Sequence, residues 1–231
     1  MKTLGIVGGL GPESTIDYYR SIVALYREKA NGAGYPHILL DSLDVDLGIR
    51  LVEREEWKTL AEYLADGFRR LARAGADFGL MAANTPHIVF DDVRRLSPIP
   101  LISIVEATCD EVKRRGLRRV ALFGTGFTMG GRFYPEVFER NHVTLVTPSP
   151  EERAYIHEKY LGELLRGTFL PDTRNRLIEI IERIKLQENV EAVVLAGTEL
   201  PLILRAETVA GLPLLDTTQI HVRAAVAEIL S

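Results

Sequence analysis

Seven short apolar runs recur along this 231-residue chain, separated by longer segments with the 3.6-residue period of a helix. The runs are Leu4–Val7, Ile38–Leu40, Phe78–Met81, Leu101–Ile104, Val120–Phe123, Ala192–Leu195 and Leu212–Leu215. Each is unbroken, too short for a buried helix and bounded by Gly, Pro or polar residues, so each reads as a buried strand. The clearest intervening helix places Trp57, Leu60, Leu64, Phe68 and Leu71 on one face, with Gly75 where a C-cap is expected. A second is expected from about Asp172 to Leu186, with Pro171 before it and Asp172 as N-cap. Strand alternating with helix predicts an α/β fold built on a mostly parallel sheet with helices on both faces.

The length admits one large α/β unit or two small lobes. A weak duplication favours two. Strand–Ala83-Asn84-Thr85 in the first half has a counterpart, strand–Gly197-Thr198-Glu199, in the second, and Ser97-Pro98-Ile99-Pro100 offers a hinge. Twenty-eight basic against thirty-two acidic residues leave a charge of −4, which gives no reason to expect nucleic acid or an anionic membrane as partner. No apolar run reaches the length of a membrane span. The opening residues carry no pattern of a signal peptide, and a cytoplasmic location is expected. The single cysteine, Cys109, excludes an internal disulfide and a multi-thiolate zinc site, and reads as a buried, inert thiol. His37, His87, His142, His157 and His221 are scattered, so no metal site is expected.

In parallel sheets the chemistry collects where strands end and helices begin. Those junctions carry Gly8-Gly9-Leu10-Gly11-Pro12, Asp41-Ser42, Ala83-Asn84-Thr85, Gly124-Thr125, Gly197-Thr198-Glu199 and Asp216-Thr217-Thr218. Most are small or hydroxyl-bearing, and suit a small carboxylate. The first superficially matches a dinucleotide fingerprint. Ser14 stands at the third glycine, however, and Asp41 comes too late for the acidic partner. Gly9 and Gly11 therefore belong either to a tight turn with Pro12 in the first helical turn or to a ligand-contacting loop. Asn84 and Thr85 suit helix capping, and His87 suits a satisfied position near a helix end. Glu199 can cap amides, hold a substrate ammonium or act as a base.

Taken in order, Gly8-Gly9-Leu10-Gly11-Pro12 with Ser14-Thr15 and Tyr18-Tyr19, Asn84-Thr85-Pro86-His87, Gly124-Thr125 with Thr128-Met129 and Phe133-Tyr134, Thr198-Glu199-Leu200 and Asp216-Thr217 carry a resemblance. The chain resembles, over its whole length, the cofactor-independent aspartate/glutamate racemase family, often called the Asp/Glu/hydantoin racemase superfamily. The resemblance implies two doubly wound lobes related by a pseudo-twofold axis, with an amino acid or small carboxylate bound in the cleft between them. The lobes are expected at residues 1–98 with 215–231, and at 99–214. It also implies a homodimer that uses neither pyridoxal phosphate nor metal. By the same resemblance, Asn84, Thr85, Thr125 and Thr128 would hold carboxylates and Thr198-Glu199 would face the amino group, while Gly9, Gly11 and Ser42 are candidate substrate contacts from their strand-end positions. Arg166 falls where the family often places a basic residue near the substrate side chain.

The resemblance also implies chemistry by two cysteines, one on each side of the substrate α-carbon, since inversion needs an acid and a base on opposite faces. Here the chain departs. The residue before Asn-Thr is Ala83 and the residue before Thr-Glu is Gly197, and neither can carry a proton. The arginine that members active on aspartate often carry just after the second strand is also missing; Arg50 and Arg54 come later. Two functions stay open. One is an amino-acid isomerase, or a lyase, in which water, Glu199 or His87 replaces the thiols. The other is a binding protein that holds an amino acid or small acid without turning it over. Ala83→Cys with Gly197→Cys is expected to create or raise racemase activity if the cleft is otherwise intact, the obstacle being the backbone if Gly197 has a positive φ.

Overall fold

The computed structural model describes residues 1–32 and 34–231. The chain forms two compact units, residues 1–104 with 218–231, and residues 105–217. The first contains β1 (Leu4–Gly8), α1 (Pro12–Lys29), β2 (Ile38–Ser42), α2 (Val45–Glu53), α3 (Trp57–Arg73), β3 (Phe78–Met81), a 3-10 turn (Thr85–Val89), α4 (Phe90–Leu96) and β4 (Leu101–Ile102). Its sheet runs β2-β1-β3-β4, with every pair parallel.

Side chains alternate across this sheet, and each face has its own cover. Leu4, Ile6, Phe78 and Leu80 pack with Tyr18, Ile22 and Tyr26 of α1 and with Val222, Val226 and Ile229 near the C-terminus. On the other face lies α3. Its Leu60, Leu64 and Phe68 are at most 1% exposed. Burial of each contributes about 1.5–3 kcal/mol. Glycines in paired register on β1 and β3, Gly5 and Gly79, bring α3 close. A Cβ on Gly79 would lie 2.7 Å from the Phe68 ring.

The chain then enters α5 (Ile104–Arg114), β5 (Arg119–Gly124), α6 (Gly126–Gly130), α7 (Phe133–Arg140), β6 (Thr144–Val146), α8 (Pro150–Gly162), a 3-10 turn (Leu164–Arg166), α9 (Pro171–Glu188), β7 (Ala192–Ala196), α10 (Leu200–Leu204), β8 (Thr208–Val209) and β9 (Leu212–Asp216). Finally α11 (Thr217–Leu230) returns to the first unit. The second sheet runs β6-β5-β7-β9-β8, parallel except for the β8–β9 pair. Ala121, Phe123, Val193 and Leu195 pack against α8, α9 and α10 through Ile156, Tyr160, Leu177, Ile181, Leu200 and Ile203.

Four details differ from the sequence-based expectation. The fourth strand stops at Ile102, because Ile104 already opens α5 and its amide is bonded to His87. The N-cap of α9 is Leu170, not Asp172, because Pro171 takes the first helical position. Strands β6 and β8, with three and two residues, are too short to register as apolar runs. The units divide at 104/105 and 217/218 rather than 98/99 and 214/215, since β4 pairs with β3 and β9 with β7. No helix among the described residues is long and apolar enough to cross a membrane.

Candidate functional site

In the first unit the glycine loop is a tight turn fastened by Thr15. Gly9 has φ +78°, and a Cβ there would lie 2.3 Å from the Leu43 carbonyl oxygen. Its amide donates to Thr15 Oγ1 at 2.9 Å, and that hydroxyl donates onward to the Gly11 carbonyl at 3.1 Å. Ser14 Oγ donates to the Ala82 carbonyl at 2.9 Å, tying the start of α1 to the end of β3. Pro12 occupies the first turn of α1. The Gly9 amide is thus already committed within the turn. Ser42 ends β2 on the surface, next to Gly9.

After β3 the chain turns at Ala83, which is 6% exposed. Asn84 is buried and precedes the 3-10 turn, but its side chain makes no capping bond. His87 holds this turn. Its Nδ1–H donates to the Ala83 carbonyl at 3.0 Å, and its Nε2 accepts the Ile104 amide at 3.2 Å. An amide can only donate, so that pair of bonds fixes the tautomer. Burial, with His221 nearby, lowers its pKa to about 3. His87 is a neutral histidine with both nitrogens engaged; its geometry is that of a positioning residue for Ala83 rather than of a base. Behind it His221 donates from Nε2 to the Ile102 carbonyl at 3.0 Å and accepts from the Tyr18 hydroxyl at Nδ1, 2.9 Å away.

In the second unit Thr125 caps α6, its Oγ1 accepting from the Thr128 amide at 3.2 Å and lying 3.1 Å from the Thr128 hydroxyl. Both threonines are buried. The Gly126 amide donates to His157 Nδ1 at 3.1 Å, which fastens the same turn to α8.

At the end of β7 the site gains a residue that sequence reasoning missed, Tyr160. Glu199 is 2% exposed and accepts hydrogen bonds from the Tyr160 hydroxyl and, at 2.8 Å, from Thr198 Oγ1. Burial, followed by the neighbouring Glu199 charge, pushes the Tyr160 phenol well above its ordinary pKa, so it stays a proton-bearing donor. The Tyr160 ring also packs on Gly197. A Cβ at 197 would lie 2.5 Å from Tyr160 Cε2 and 3.0 Å from its hydroxyl. Gly197 itself is not in the left-handed region. The expected backbone obstacle is therefore replaced by a side-chain one.

Helix α8 supplies that side chain because its own start is well fixed. Ser149 and Glu152 form a capping box, Pro150 takes the first position, and Glu152 pairs with Arg183 of α9. His157 and Tyr160, three residues apart, then lie on neighbouring positions of one face. That spacing was the available signal.

Arg166 ends the 3-10 turn after α8 and is exposed. Cys109 is 1% exposed, and burial and Asp110 raise its thiol to about 11. It is no nucleophile.

The fold finds its counterpart in known proteins. Residues 7–225 match the family described as Asp/Glu/Hydantoin racemase. The chain belongs to that racemase family. A Yersinia pestis protein provisionally named as an Asp/Glu racemase is 31% identical, with both chains covered fully and a TM-score of 0.91. An aspartate racemase homologue from Pyrococcus horikoshii OT3 is 33% identical over both full chains, with a TM-score of 0.86. Broad specificity amino-acid racemase RacX of Bacillus subtilis is 29% identical over 60% of this chain and 61% of its own length. In this chain Asn84 and Thr85 follow Ala83 at one strand end, and Thr198 and Glu199 follow Gly197 at the other.

Proposed function

We propose that this racemase-family chain binds a small amino acid or carboxylate and does not carry out two-thiol racemisation. One observation carries this reading. The two positions that the family resemblance assigns to thiols hold Ala83 and Gly197, and the Tyr160 ring stands against the second. Asn84 in the first unit, and Thr125, Thr128, Thr198 and Glu199 in the second, are nevertheless buried. Asn84, Thr85, Thr125 and Thr128 are the proposed carboxylate-binding residues, with Gly9, Gly11 and Ser42 shaping the first unit's edge. Thr198 and Glu199 are the proposed amino-group contacts, since a buried carboxylate favours an ammonium. The RacX name supports an amino acid as ligand, and so does a Francisella tularensis glutamate racemase solved with D-glutamate, which shares the fold at 15% identity. The reading includes no cofactor, a homodimer and a cytoplasmic location.

A second reading, a one-sided isomerase or lyase, draws on Glu199 alone. It is the one buried carboxylate among these strand-end residues, and two hydroxyl donors hold it in place. Proton NMR with a panel of L- and D-amino acids in deuterated water separates the two. Ligand binding with the α-proton retained supports the binder; loss of the α-proton supports the enzyme.

A further inference from the structure

We propose that Tyr160 is the specificity-determining residue of the second unit: its ring takes the space that a side chain at 197 needs, and its hydroxyl fixes Glu199. The inference rests on Proposed function for the ligand, but its packing half stands alone. Tyr160 is 5% exposed and sits on α8, whose start is locked by the Ser149–Glu152 box and the Arg183 pair. The ring therefore has little room to withdraw. A contact of 2.5 Å to a new Cβ is far inside van der Waals distance, so one of the two groups must move. The absence of a side chain at 197 and the presence of the Tyr160 ring thus depend on each other. The hydroxyl has a separate consequence. It adds a second hydroxyl donor to a buried carboxylate that Thr198 already bonds, and so weakens the pull of Glu199 on a ligand ammonium.

The test uses full-length Gly197→Cys, Tyr160→Ala, Tyr160→Phe and the two double variants. Gly197→Cys should lower the melting temperature by roughly 3–10 °C. Gly197→Cys with Tyr160→Ala should melt well above the sum of the single shifts, whereas Gly197→Cys with Tyr160→Phe should not, because the ring remains. The thiol introduced by Gly197→Cys should react with a thiol reagent at least about tenfold faster in the Tyr160→Ala background than in the Tyr160→Phe background. Where the cysteine variant does not fold, Gly197→Ala adds the Cβ alone and keeps the cycle readable. Additive shifts, or Gly197→Cys melting like the parent, would overturn the packing claim. For the hydroxyl, Tyr160→Phe should shift the ratio of dissociation constants of alanine and propionate toward alanine by roughly tenfold. An unchanged ratio contradicts that half. If neither compound binds, the functional reading fails, while the melting cycle still decides the packing claim.

Discussion

The Tyr160 ring stands 2.5 Å from the point where a Cβ on Gly197 would sit. A glycine at this strand end is therefore required by a side chain 37 positions earlier, not by the backbone at 197. A thiol at 197 meets the Tyr160 ring before it can serve a two-thiol site. We predict that Ala83→Cys with Gly197→Cys gives no racemisation of aspartate, glutamate or alanine until Tyr160 is also reduced to alanine. Chiral chromatography of overnight incubations checks this, and activity in the double variant would contradict it.

Two buried histidines set the acid limit of the fold. Burial lowers His87 to about 3 and His221 to about 4, from an ordinary 6.5. The unfolded chain takes up protons at these positions below about pH 6.5, and the folded chain does not. Their neutral burial costs nothing above that pH, and stability is lost as pH falls toward the folded values. At pH 5 the loss is on the order of 2 kcal/mol for each. Melting curves at pH 7 and pH 5 should differ by several degrees, and His221→Gln should reduce the difference. Equal melting temperatures for the parent would contradict it. The window between pH 5 and 6.5 favours the histidines, because Glu111, Glu152, Glu163 and Glu191 are all held below the ordinary carboxylate range. Asp17, raised by burial, acts in the opposite direction.

Much of this architecture is legible in the chain itself. Leu4–Gly8, Phe78–Met81, Arg119–Gly124 and Ala192–Ala196 are central strands, buried almost throughout, and such strands must be written as unbroken apolar runs. Edges are not written that way. Thr144–Val146 is half exposed and needs no apolar run, so it left no trace. The site divides similarly. Strand-end residues such as Asn84, Thr125 and Thr198 follow directly from strand positions. Tyr160 does not, because it reaches Glu199 from a helix 39 residues away and only packing brings the two together.

Gly9 and Gly116 separate backbone strain from crowding. Both have positive φ, but only Gly9 faces backbone atoms, with a Cβ contact of 2.3 Å to Leu43; nothing lies within 4 Å at Gly116. Gly116→Ala should cost about 1 kcal/mol and Gly9→Ala at least about 3 kcal/mol, or prevent folding. Urea titrations of both variants measure the difference, and equal costs would show that the turn at Gly9 can open.

The α3 face carries the first unit's second core. Phe68 is fully buried against Gly79. Phe68→Ala should destabilise by about 3–5 kcal/mol and Phe68→Leu by much less. The same titrations read both. A small effect of the alanine variant would mean that α3 shifts to close the cavity.

Glu199→Gln keeps the shape of the buried side chain and removes its charge. Amino-acid binding should weaken by about tenfold or more, and binding of the matching deamino acid should change less. Isothermal titration with both ligands gives the comparison. Equal losses would remove Glu199 from the proposed amino-group contact.

The most direct test of the central claim is proton NMR of the purified protein at high concentration in deuterated water with L- and D-amino acids. Chiral analysis of the same samples completes it. The account predicts ligand binding, seen as saturable shifts or line broadening, with the α-proton signal retained and the configuration unchanged. Loss of the α-proton with inversion would contradict it, and would show that a proton-carrying pair other than two thiols works at the strand ends of this chain.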